Sequence, residues 1–240
     1  MPRDDDVTGR IKLRDRVLPA YTRGEERFNM ISHIAGGGLA VAALFACVIA
    51  GAWRRDALAV TGGAIYGATM VVLYAMSSLY HGLKPEMPKK VFQVIDHCSI
   101  YLLIAGTYTP VTLCALRKVS PAWGWSIFGV VWGCAVVAIT LTAIDLRRYR
   151  VFSMICYLGM GWCIVAAVSP LLRAVPAPGL ALLLAGGLCY TAGAVLYGVG
   201  KRVRYMHSIF HLFVVAGSLL HFFCILLYVL PRAGGEPPSA

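Results

Sequence analysis

The sequence predicts an all-α, polytopic membrane protein with seven transmembrane helices, its N-terminus in the cytoplasm and its C-terminus outside. Three observations carry this. The 240 residues are 59% hydrophobic and 14% charged, with a mean hydropathy of +0.72. Ordinary globular chains carry about 25% charged residues, so there is more apolar surface here than one soluble core buries. The apolar residues also gather into seven runs, at 31–53, 57–81, 93–116, 123–144, 151–172, 178–199 and 207–230, each near the roughly 20 residues that cross a bilayer. Finally, sixteen of the 22 Lys and Arg fall in the N-terminal segment and the second, fourth and sixth loops, which the positive-inside rule assigns to the cytoplasm. A disordered chain, a secreted disulfide scaffold and a soluble enzyme are excluded.

Taken in order, residues 1–22 are charged, lack apolar periodicity and contain Pro2 and Pro19, and are expected to form a disordered basic cytoplasmic tail. No cleavable signal precedes the first run, which would act as its own insertion signal. Residues 23–230 form the transmembrane domain, and 231–240, rich in Gly and Pro, a short disordered C-terminus. Gly63 with Gly67, and Gly129 with Gly133, are spaced one turn apart and are expected to let helix backbones approach. Pro110 and Pro170 are expected to kink or end their helices. The eight cysteines all lie inside apolar runs without a CxxC pair, so they read as small core residues. The formal charge of +11 is a topology signal and an attraction to anionic inner-leaflet lipids; nucleic acid is not needed to explain it. The expected location is the cytoplasmic membrane.

Ionisable residues within apolar spans are costly and therefore informative. Five of the six histidines fall at one end of their runs. His33 is accompanied by Glu25, Glu26, Asn29 and Ser32; His81 by Ser77 and Ser78; His97 by Asp96; and His207 by His211. On a helix, His207 and His211 share one face, and Ser77 and His81 repeat that spacing. If the helices bearing them are neighbours, His81, His207 and His211 supply three imidazoles, a set that suits zinc with a fourth position open. Asp96, read as the only acidic residue at a span edge beside them, could then bond a water or ligand there. The bland alternative is histidines wetted at the interface or bonded across helices, and the missing Glu of HExxH argues against a standard zincin. His33 and Asn29 read as pinning the first helix. His97, about 100° round its helix from Asp96, is expected to point away, and His221 to make an interhelical hydrogen bond.

The strings Glu25-Glu26 to Asn29 and Ser32-His33, Ser77-Ser-Leu-Tyr-His81, Asp96-His97 with Ala105-Gly-Thr-Tyr-Thr-Pro110, and His207-Ser-Ile-Phe-His211-Leu-Phe-Val resemble the bacterial hemolysin III proteins of the progestin and adipoQ receptor family. The likeness covers residues 21–230. It implies seven helices with a cytoplasmic N-terminus and a Zn2+ held by His81, His207 and His211. It also implies that Asp96 bonds the water at the zinc and that Ser77 is its neighbouring serine. The long N-terminal region of the animal adiponectin receptors is absent, so no hormone partner follows.

Three functions compete. In a lipid hydrolase resembling the alkaline ceramidases, Asp96 and Ser77 would be catalytic and a membrane lipid, cleaved at an amide or ester at the inner leaflet, the substrate. In a sensor or homeostasis regulator, zinc would be structural and lipid a ligand. A pore-forming cytolysin finds no support, because no helix face carries repeated charges. Retinal is excluded because every lysine lies in the tail or loops, and haem because no second helix offers a matching histidine pair.

Overall fold

Seven apolar helices follow one another with tight connections in the computed structural model, which describes residues 12–200 and 203–232. They are α1 Arg23–Trp53, α2 Ala57–Gly82, α3 Glu86–Val119, α4 Pro121–Ile144, α5 Arg150–Ala174, α6 Ala177–Val199 and α7 Met206–Val229. No strand occurs among the described residues. Lipid offers no partner to backbone polar groups, so helices that satisfy their own are the form these runs must take.

The helix ends differ from the expected runs where polar residues form helix that hydropathy cannot see. α1 begins eight residues early, on a capping box in which the Thr22 hydroxyl accepts from the Glu25 N–H and the Glu25 carboxylate accepts from the Thr22 N–H. α3 gains two turns at its start, where Lys90 pairs with Glu86 at 2.6 Å. Pro110 does not end α3: a wide π turn over Val111–Leu116 absorbs the missing N–H and the helix runs on. In α5, a 3-10 turn over Cys163–Ala167 precedes Pro170.

α1 lies along α2, α2 along α3, and α6 along α7, and α1 also touches α7. The α1–α2 approach is close because of Gly63 and Gly67: a Cβ on Gly67 would lie 2.5 Å from Leu44 Cα. Gly129 and Gly133 do not act this way, since a Cβ on either would meet nothing within 4 Å. They sit on the outer face of α4, where Val130, Val136 and Val137 are also exposed. α3 is the central element. Of the residues in its apolar stretch 83% are buried, against 17% in α5 and in α6. α5 and α6 barely touch; Trp162 Nε1 on α5 bridges them by donating to Thr191 Oγ1 at 3.0 Å.

The N-terminal segment and the loops after α2, α4 and α6 meet at one end of the bundle. Arg16 Nη2 donates to the Ile144 carbonyl at 3.3 Å, Lys90 Nζ to that of Arg14 at 2.6 Å, and the Tyr205 N–H to Glu25 Oε1 at 2.7 Å. Residues 12–22, expected to belong to a mobile tail, thus form a strap across what we term the basic end. The expectations for residues 1–11 and 233–240, and the basic Lys201 and Arg202, lie outside the described residues.

Candidate metal centre

The site begins with the joint between α1 and α7. Tyr205, just before α7, adopts a left-handed φ of 60°, held by its N–H bond to Glu25 and by its phenol lying over Gly24, where a Cβ would come within 2.7 Å of the oxygen. Deeper in, Ser208 Oγ donates to Asn29 Oδ1 at 2.6 Å. These contacts fix the rotation of α7, so His207 and His211 face the bundle interior. Opposite them, the last turn of α2 carries His81. Lys89 holds that turn by donating to the carbonyls of Tyr80 and Leu83 at 3.0 and 3.3 Å.

The three imidazoles converge through the same atom. His81 Nε2 is 3.3 Å from His207 Nε2, which is 3.1 Å from His211 Nε2. Ligand atoms of all three lie within 4.8 Å of one another. A ring nitrogen has a single in-plane site, holding either a proton or a lone pair, so His207 Nε2 cannot bond both neighbours. A cation between the three satisfies all of them. Tetrahedral bonds of about 2.0–2.1 Å put zinc-bound nitrogens about 3.3–3.4 Å apart, close to the spacing found. The residues therefore fit a metal.

His81 is oriented by Glu26, which the sequence places beside His33 without giving it a role. Its Nδ1 lies 2.7 Å from Glu26 Oε2. A carboxylate oxygen can only accept, so Nδ1 carries the proton and Nε2 turns its lone pair toward the other rings, as is usual for ligating histidines. Lys89 Nζ holds the other oxygen, Oε1, at 2.9 Å. The reading of Asp96 as the only acidic residue beside the cluster is corrected: Glu26, in the first turn of α1, is the one bonded to a candidate ligand. The capping box that starts α1 at Arg23 was the available signal, since it puts Glu26, Asn29 and His33 on one helix face.

Asp96 and Ser77 are buried. Both line a cavity of about 160 Å³ that also receives His207 and His211 and continues between apolar side chains to Tyr190 and His221. His97 does not turn away. It lines the same cavity, its Nδ1 2.8 Å from the Gln93 carbonyl and 3.9 Å from Asp96, because the space is wide enough to span 100° of α3. His33 is not in the triad but stacks on His211, centroids 3.7 Å apart. His221 meets its expectation, with Nε2 3.0 Å from the Leu183 carbonyl. Beside it Ser218 gathers the Tyr74 and Tyr190 phenols at 2.9 and 2.7 Å. At the basic end the Tyr21 ring lies flat on His207, at 5.0 Å and 13°. Burial pushes its phenol above the ordinary tyrosine pKa, so it covers the triad as a neutral ring.

The profile of the family described as "Haemolysin-III related" matches residues 21–222, spanning every residue of this centre. The chain is similar to "Hemolysin-3" of Bacillus cereus, 40% identical over 209 residues, 87% of this chain and 94% of that protein. It is 36% identical over 208 residues to "Hemolysin-3 homolog" of Bacillus subtilis (strain 168), covering 87% and 96%. With "Monocyte to macrophage differentiation factor" of Homo sapiens it shares 27% over 173 residues, 69% of each chain.

Proposed function

Because this multi-pass, seven-helix membrane protein belongs to the haemolysin-III related family, we propose that it binds zinc at His81, His207 and His211 and cleaves an amide or ester bond of a membrane lipid. The observation that carries this reading is the convergence of three Nε2 atoms beside an apolar cavity whose wall holds Asp96 and Ser77. Zinc supplies Lewis acidity and a water made acidic near neutral pH. The protein's own residues do the rest. Asp96 accepts the proton of the attacking water and passes it to the leaving nitrogen or oxygen. Ser77 donates to the carbonyl oxygen, or holds the Asp96 carboxylate in place until substrate arrives. Glu26 fixes the tautomer of His81, and the apolar cavity takes the acyl chain. The basic end faces the cytoplasm, by the distribution of Lys and Arg, so the scissile bond lies at the inner leaflet of the plasma membrane.

The test is zinc-loaded protein in detergent, incubated with long-chain amides and esters, with product read by mass spectrometry. Free fatty acid is expected from wild type, and a loss of at least about a hundredfold in Asp96→Asn. Stoichiometric zinc with no product from any substrate would overturn the hydrolase and leave a regulator with a structural metal.

A further inference from the structure

A second chamber of about 560 Å³ lies at the basic end, roofed by the strap. It shares His97, Met154, Tyr157, Tyr197 and His207 with the inner cavity, so the two meet at the triad. The chamber receives four arginines, Arg16, Arg147, Arg150 and Arg204, and one carboxylate, Glu25. Both oxygens of Glu25 are already engaged, Oε1 by the Tyr205 N–H and Oε2 by the Thr22 N–H and hydroxyl.

Arg16 differs from the other three, which are exposed. It is 8% exposed, and its Nη2 donates to the Ile144 carbonyl and approaches Asp145 Oδ1 at 4.0 Å. That oxygen also accepts from the N–H groups of Arg147 and Arg148 at 3.0 and 3.1 Å. Arg16 Nε and Nη1 are buried with no hydrogen-bond partner. A buried charged group with orphaned donors is costly. Guanidinium offers fixed, planar donors matched to carboxylate and phosphate, and an oxyacid in the chamber would satisfy them.

We propose that this chamber is an anion site, anchored by Arg16, for the carboxylate or phosphate head group of an amphiphile. The amphiphile's chain runs past the triad into the inner cavity. Extended to turnover, this rests on the hydrolase reading and narrows its substrates to acidic amphiphiles; the anion site itself does not depend on cleavage.

The test uses zinc-loaded full-length protein in a neutral maltoside detergent, titrated calorimetrically with dodecyl phosphate and, separately, with inorganic phosphate. Saturable binding of dodecyl phosphate is expected. Binding should weaken at least about tenfold in Arg16→Gln, the size of a lost charged hydrogen bond, and recover in part in Arg16→Lys. Should Arg16→Gln fail to fold, the double variant Arg147→Gln, Arg150→Gln, at exposed positions, is expected to weaken binding severalfold. Undiminished affinity in whichever of these proteins folds would overturn the site. Equal affinity for inorganic phosphate would overturn the amphiphile assignment. Binding retained by the wild-type protein after a chelator has stripped its zinc, where the metal reading predicts no hydrolysis, would show that the chamber stands apart from the chemistry, whereas loss there would tie it to the metal and overturn that independence.

Discussion

Glu26 Oε2 lies 2.7 Å from His81 Nδ1, a bond between residues 55 positions apart that joins the first turn of α1 to the last turn of α2. The same carboxylate holds Lys89 of α3, so three helices meet at one side chain. Substituting Glu26→Gln keeps the size but lets the amide present its NH2 to Nδ1, which favours the opposite imidazole tautomer. Zinc affinity is expected to fall about 10–100-fold, as for other residues that orient a ligand. Competition with a chelator measures it; unchanged affinity would mean that His81 does not bind the metal.

His211 and His33 stack face to face, yet they should behave differently. His211→Ala removes one of three converging nitrogens and is expected to leave the purified protein with less than about a tenth of its zinc. His33→Ala removes a packed ring outside the triad. It should keep its zinc while losing about 2 kcal/mol of stability or more from the void it leaves. Elemental analysis with thermal melting separates the two.

Gly67 and Gly133 offer a matched pair. Gly67→Val drives side-chain atoms into Leu44 and is expected to cost about 1–3 kcal/mol, seen as a lower melting temperature in detergent. Gly133→Ala meets open space and gains helix propensity, so melting should stay level or rise.

Ser218→Ala should cost about 1–3 kcal/mol, because the Tyr74 and Tyr190 phenols both lose a buried partner. Adding Tyr190→Phe is expected to restore part of the loss, a non-additivity that a double-mutant cycle in thermal melts would detect.

The seven spans were legible because the bilayer demands long apolar runs, and His207 with His211 because helical spacing alone puts them on one face. The first turns of α1 and α3 were not, since their polar residues bond to one another and to the strap, and carry no apolar signal. Glu26 was hidden for a related reason: its partner His81 lies on another helix, and only the joints at Tyr205–Glu25 and Ser208–Asn29 bring the helix ends together. His97 was misjudged because helix angle gives direction without the width of the space it faces. The outer face of Gly129 and Gly133 shows that small-residue spacing permits a close approach without requiring one.

The enclosure of α3 bears on how the protein is made. Of the seven helices it is the least apolar by hydropathy and the most enclosed, so it is the span least able to rest alone in lipid. During synthesis it leaves the ribosome when only α1 and α2 precede it, and four later helices have yet to arrive. The Gly67 notch that seats α2 on α1, and the carboxylate of Glu26 waiting for Lys89, give the emerging helix a prepared berth. The third helix thus leans on its neighbours for burial more than any other span, and the first hairpin, translated before it, already carries the α2 face and the Glu26 carboxylate that it meets.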